Sequence, residues 1–257
     1  MYIDFHNHLD FYDKEDINKI IYEIENNKIT TLACSMDEKS YLYNKELSKL
    51  SKYIIPTFGI HPNKAYENRE NIDKYDSLIK HSQLIGEIGL DFYWIEDKNT
   101  YKSQIKVFEY FLIQARKYSK YINVHTKGAE ELILELIKKY DISTQTIIHW
   151  YSGDINVLKK LIDSNCLFTA SIDLKYSEKS REIVSLIPIE NLLAETDGPT
   201  ALQWISGEWG MPKKIMNVYE DICRIKKINI CEFKNNCQNH LNKIIKSKIL
   251  NKNVVKS

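Results

Sequence analysis

The residues best suited to chemistry in this chain are histidines and carboxylates that recur just after short apolar stretches. His6 and His8 stand one residue apart in Ile3-Asp4-Phe5-His6-Asn7-His8. In an extended strand, residues i and i+2 project from the same face, so the two imidazoles point together. Imidazole is the commonest protein metal ligand at neutral pH, and two on one face make half a metal site. Alone, such a pair is commoner on an ordinary surface, so its meaning depends on whether other ligands join it. Glu87 lies in Gly86-Glu87-Ile88-Gly89-Leu90-Asp91, His125 in Asn123-Val124-His125, His149 in Ile147-Ile148-His149, and Asp197 in Glu195-Thr196-Asp197-Gly198-Pro199. Either later histidine taken singly reads better as a satisfied core residue, and Asp197 could merely start a turn. Glu87 is harder to dismiss, because a carboxylate in an apolar, glycine-flanked strand is costly unless paired or metal-bound.

These six donors matter because of where the elements place them. Extended and helical segments alternate almost from end to end. Strands are predicted at 2–6, 30–35, 53–60, 84–88, 121–125, 146–149, 166–172 and 192–195. Helices are predicted at 14–27, 37–52, 71–80, 100–120, 129–140, 154–163, 178–186, 212–226 and 231–249. Eight strands, each followed by a helix, is the pattern of an α/β (β/α)8 barrel, here a single domain over 1–257 with an extra C-terminal helix and a frayed end at 251–257. A doubly wound open sheet has the same periodicity. In a barrel, loops at the C-terminal strand ends share one rim, so ligands from five strands would converge on one mouth.

Four imidazoles and two carboxylates without a thiolate suit zinc, manganese or magnesium. Six protein ligands are too many for one catalytic ion that must keep an open position. Two divalent ions bridged by Glu87 use them better. Such a centre suits phosphodiester hydrolysis, by lowering the pKa of a water and stabilising an in-line displacement.

The composition narrows the setting. Among 257 residues, 36 Lys+Arg against 35 Asp+Glu leave a net charge of +1, so nucleic-acid binding would need a local patch. One basic stretch runs from Arg224 to Ser257, with nine Lys/Arg against Glu232 as its only acid, and reads as a solvated helix face. Five cysteines without C-x-x-C spacing argue against a disulfide framework or zinc ribbon and for a reducing compartment. With no signal-peptide pattern at the start and no apolar run of membrane-spanning length, the cytoplasm is the expected location and no membrane partner is expected. His81 and His240 sit in polar helical contexts and are expected at the surface.

The motifs His6-Asn7-His8-Leu9-Asp10, Gly59-Ile60-His61-Pro62, Gly86 to Tyr93, the His125 strand, His149-Trp150-Tyr151-Ser152-Gly153 and Glu195 to Pro199 resemble those of the TatD-type metal-dependent DNases. They occur in that family's order and span nearly the whole chain. The resemblance implies a TIM-barrel metallohydrolase of the amidohydrolase-like superfamily, with 3′-to-5′ exonuclease activity, preferably on single-stranded DNA. It implies one ion held by His6, His8, Glu87 and Asp197, and another by Glu87, His125 and His149. Asp197 would also take the proton of the attacking water. His61 would sit behind the ligands or contact a phosphate, and Lys127 and Asp91 are candidate substrate contacts.

This chain departs from the family at several points. Lys127 stands where the family usually has arginine, offering phosphate a point charge and not a bidentate fork. Trp150-Tyr151 replaces the usual Cys-Phe, and Gly198-Pro199-Thr200 the usual small residue-Pro-Tyr. The family's Asn-x-x-Arg-Leu-Phe ending is only echoed in Asn239 to Ile244. The variants at 149–153 and 196–199 look more like the TatD-type component of bacterial Qat anti-phage systems, which implies protein partners in a defence complex. Phe92, Tyr93, Trp94, Trp150, Tyr151, Trp204 and Trp209 fall near the expected mouth, where bases could stack on them. For each ring, packing into the rim is the expectation. The alternatives to a nuclease are a metal-dependent hydrolase of another substrate, since one barrel serves many reactions, and a defence component acting mainly by binding.

Overall fold

A computed structural model describes residues 1–254, with side chains through 245. Eight parallel strands form two ladders, β1 (Tyr2–Asn7), β2 (Ile29–Ala33) and β3 (Ile54–Pro56), then β4 (Ile85–Asp91), β5 (Ile122–Lys127), β6 (Thr146–Ile148), β7 (Leu167–Ala170) and β8 (Leu192–Ala194). The ladders meet at two seams. At one, a Phe58–Ile85 bridge and the bond from Gly86 N to Phe58 O (2.9 Å) join the β3 side to β4. At the other, Asp197 N donates to His6 O (3.0 Å) and His8 N to Gly198 O (2.9 Å). Buried Asp4 adds side-chain stitches there, accepting from Thr196 N on Oδ1 (3.0 Å) and from Thr196 Oγ1 on Oδ2 (2.5 Å). The sheet therefore closes on itself as a (β/α)8 barrel, which excludes the open sheet.

The helices α1 (Ile17–Asn27), α2 (Glu38–Leu47), α3 (Pro62–Asn68), α4 (Asp76–His81), α5 (Tyr101–Tyr118), α6 (Glu130–Lys139), α7 (Ile155–Asp163) and α8 (Glu178–Leu186) surround it. They are followed by α9 (Thr200–Ser206), α10 (Ile215–Lys226) and α11 (Ile230–Val254). Apolar residues at three- and four-residue spacing explain the inward faces. On α5, Val107, Phe108, Phe111, Leu112 and Ala115 are all buried against the barrel.

Several expectations are corrected. The third strand, expected over 53–60, is regular only over Ile54–Pro56, with Phe58 beyond it adding a single bridge to Ile85. The helix expected at 37–52 stops at Leu47, and that at 71–80 divides into a 3-10 turn and α4. Helices α3 and α9 were not anticipated, because each spans seven residues, too few for a convincing period. His240 is buried rather than exposed, since α11 packs it beside Glu190, whose carbonyl accepts from its Nε2 at 2.8 Å. The expected frayed end at 251–257 continues α11 as far as Val254, and residues 255–257 lie outside the described residues.

Candidate metal centre

Each ligand candidate is positioned by strand geometry. His6 lies within β1 and His8 just past it, with their Nε2 atoms 3.0 Å apart. Glu87 sits inside β4 rather than at its end, because β4 continues to Asp91. Gly89 lets β4 lie close against β5, since a Cβ there would stand 1.9 Å from His125 O. His149 follows β6 directly, and Asp197 follows β8 across the closing seam. Asp197 adopts φ 45°, left-handed backbone that costs a side chain about 1–2 kcal/mol and is held by the bond to His6 O.

The carboxylate of Glu87 lies at the middle of this set. Its Oε2 is 3.2 Å from His8 Nε2 and 3.6 Å from His6 Nε2. Its Oε1 is 2.9 Å from His149 Nε2 and 3.0 Å from His125 Nδ1. Asp197 Oδ1 joins the first pair, 3.6 Å from His6 Nε2 and 3.5 Å from His8 Nε2. All six predicted ligands are thus brought together. Burial alone would raise the pKa of Glu87, but the surrounding imidazoles, His61, His149 and His6 foremost, outweigh it and hold the carboxyl well below its ordinary value.

The spacing fits a cation. A tetrahedral ion with bonds of 2.0–2.2 Å has donor–donor edges of about 3.4 Å. Five of the six separations among His6 Nε2, His8 Nε2, Glu87 Oε2 and Asp197 Oδ1 run from 3.0 to 3.6 Å, and His6, His8 and Glu87 form the tightest group. Glu87 Oε1, His125 Nδ1 and His149 Nε2 lie 2.9 to 3.4 Å apart, close enough that they would hold a second ion. Buried Cys34 influences His6, but burial pushes its thiol up, so the donor set remains imidazole and carboxylate.

The far nitrogens of the ligands reveal residues that the sequence did not. Asn123 Nδ2 donates to Phe5 O (3.1 Å), which turns its Oδ1 toward His6 Nδ1 at 2.9 Å. An amide oxygen only accepts, so His6 keeps a proton on Nδ1, which leaves Nε2 as the nitrogen that would bind a metal once it gives up its proton. Glu195, fully buried, has Oε1 3.6 Å from His149 Nδ1 and no hydrogen bond to either oxygen among the described residues. Asn123 shares a strand face with His125 by two-residue spacing, and Glu195 stands two before Asp197. Those are the signals that could have found them.

Asp91 was expected to face substrate. Instead its Oδ2 lies 2.9 Å from His125 Nε2, and its Oδ1 accepts from Tyr93 N (3.0 Å) and Trp94 N (2.7 Å). Both oxygens are occupied in orienting a ligand and a loop. His61 caps α3 by accepting from Asn63 N at Nδ1 (3.2 Å), leaving Nε2 3.6 Å from Glu87 Oε1. Burial lowers its pKa to about 3, so it is neutral and can donate from Nε2. His61, Glu87 and His125 also place donor atoms within 4.8 Å of one another. Lys127 ends β5 half-buried, and its Nζ donates to Ser152 Oγ at 2.5 Å. Of the aromatic residues expected near the mouth, Tyr151 is buried and Phe92, Trp150 and Trp209 are partly buried, whereas Tyr93, Trp94 and Trp204 are exposed.

An uncharacterized metal-dependent hydrolase of Methanocaldococcus jannaschii is 32% identical, with 92% of this chain and 96% of that protein covered. A Bacillus subtilis protein of the same description, YabD, is 26% identical over 90% of this chain and 94% of its own length. The crystal structure of YjjV, a TatD homologue from Escherichia coli, superposes with a TM-score of 0.83 at 18% identity, covering 96% of this chain and 97% of that one. The family model for TatD-related DNases matches residues 3–246, so the chain belongs to the TatD-related DNase family.

Proposed function

We propose that this chain, a metal-dependent hydrolase of the TatD family, is a deoxyribonuclease that works with two divalent ions and removes nucleotides 3′ to 5′ from single-stranded DNA. The observation that carries the reading is the division of the Glu87 oxygens, Oε2 toward His6 and His8, Oε1 toward His125 and His149. One carboxylate serving two imidazole pairs is the arrangement expected of a bridge. His6, His8, Glu87 and Asp197 would hold one ion, and Glu87, His125 and His149 the other. When bound, such ions supply Lewis acidity, which lowers the pKa of water and neutralises charge on the phosphoryl oxygens.

The chain's own groups do the rest. Asp197 would accept the proton of the attacking water; in the metal-free site burial raises its carboxyl from the ordinary value. The Nε2–H of neutral His61 faces the centre and can donate to a phosphoryl oxygen. The Lys127 ammonium, two residues past His125 on β5, offers a point charge to the nucleic-acid backbone. A role in anti-phage defence rests on the resemblance of the variants at 149–153 and 196–199 to the Qat-type component.

The test is nucleotide release from single-stranded DNA by purified protein in magnesium, manganese and zinc, beside Asp197→Asn. Metal-dependent release by the wild type, reduced roughly a hundredfold or more in the variant, is expected. Hydrolysis of small phosphoesters with no release from DNA in any metal would overturn the nuclease reading in favour of another substrate.

A further inference from the structure

The loop after β4 combines a rigid backbone with exposed rings. Tyr93 and Trp94 are 63% and 69% exposed, and their rings meet edge to face at 4.8 Å between centroids. The backbone beneath them is fixed at every step. Gln104 on α5 clamps Asp91 by accepting from its N (2.8 Å) and donating to its O (3.1 Å). Phe92 N donates to Lys127 O (2.8 Å), and the Phe92 ring stacks on Tyr101 at 4.0 Å. Tyr93 N and Trp94 N both donate to Asp91 Oδ1. The other oxygen of that carboxylate holds His125.

Scattered exposed aromatic residues need no explanation. Two adjacent ones on a loop this firmly tied do, because ordering a backbone only to leave large apolar rings in water gains nothing in the free protein. One carboxylate also sets the place of the rings relative to a metal ligand, so their distance from the centre is fixed before anything binds. The ligand that fits is a flat, unpaired aromatic ring attached to a phosphodiester. Bases stack on aromatic side chains whatever their sequence, whereas paired bases inside a duplex offer no free face.

We propose that Tyr93 and Trp94 form a stacking platform for unpaired nucleobases, held in register with the metal centre by Asp91. The platform selects single-stranded nucleic acid over duplex and sets which phosphodiester reaches the centre. The proposal rests on the nucleic-acid reading of the site.

Its test is the double variant Tyr93→Ala/Trp94→Ala, with the exposed Tyr22→Ala on α1 as control. Binding of a hydrolysis-resistant phosphorothioate oligothymidylate to manganese-loaded protein is followed by fluorescence polarisation. The rate on methyl p-nitrophenyl phosphate, a phosphodiester without a base, is measured in parallel. The expected result is affinity for the single strand weakened roughly 5- to 100-fold, with duplex affinity and the small-diester rate unchanged. Trp94→Phe should retain most of the binding. Unchanged single-strand affinity in the double variant, with wild type still releasing nucleotides from DNA, would overturn the platform alone. Loss of the small-diester rate in step with binding would also overturn it, by showing that the rings support the centre itself. A wild type that neither binds nor cleaves the single strand would overturn both the platform and the nuclease reading.

Discussion

Asn123→Ala is the sharpest probe of how the centre is organised. The residue is fully buried and makes two bonds, from Nδ2 to Phe5 O at 3.1 Å and from Oδ1 to His6 Nδ1 at 2.9 Å. Alanine removes both and leaves the buried Nδ1–H of His6 without an acceptor. At about 1 kcal/mol for a lost bond and 1–3 kcal/mol for a stranded buried donor, metal-free stability should fall by about 2–4 kcal/mol. Metal affinity should fall as well, because nothing then fixes His6 as the tautomer with a free Nε2. Losing such an orienting partner weakens affinity roughly 10- to 100-fold, about 1.4–2.7 kcal/mol. The assay is zinc or manganese competition against a chromophoric chelator, with thermal unfolding followed by circular dichroism. Asn123→Asp separates the two roles, since it keeps an acceptor for His6 but loses the donor to Phe5. It should recover most of the metal affinity while remaining less stable than wild type. If Asn123→Ala folds and binds metal as tightly as wild type, the tautomer argument is wrong.

Two further outcomes concern pH. Burial lowers the pKa of His125, but its bonds to Asp91 and Glu87 outweigh that and raise it to about 9 in the metal-free site. Metal must therefore displace a proton there, and affinity should rise about tenfold per pH unit for each proton released, up to about pH 9. Calorimetry in buffers of different ionisation enthalpy counts those protons, and a flat affinity between pH 6.5 and 8.5 would contradict the assignment. His61 gives the opposite kind of signal. Its folded pKa of about 3 lies below its unfolded value near 6.5, so below about pH 6.5 the unfolded chain takes a proton that the folded chain refuses. Metal-free stability should consequently be lost as pH falls through that window, by at most about 1.4 kcal/mol per unit from this residue. His61→Asn, which can still cap α3, should show a shallower acid limb in denaturant titrations, and an unchanged limb would refute the assignment.

Strand alternation, the cost of a lone buried carboxylate and the order of the motifs made the ligands legible in the sequence. His6 and His8 could be paired because a two-residue spacing on a strand has one geometric outcome. Glu87 stood out because so apolar a strand has no reason to carry a charge without a partner. The same local rules missed α3 and α9, whose seven residues are fixed by a Pro62 start and by packing rather than by a repeating stripe. They also misplaced His240, whose burial depends on where α11 comes to rest.

Facing across strands follows a different rule. Asn123 behind His6, Glu195 behind His149, and Asp91 tying His125 to an exposed loop are relations between residues that are distant along the chain. They depend on the register of β4 against β5 and on the closure of β8 onto β1. Side-chain alternation is a property of one strand, so the sequence alone determined which donors this protein has and which strands carry them. Register and closure are properties of the whole barrel, so only the tertiary structure decided which oxygen of Glu87 each imidazole faces and what holds each imidazole in place.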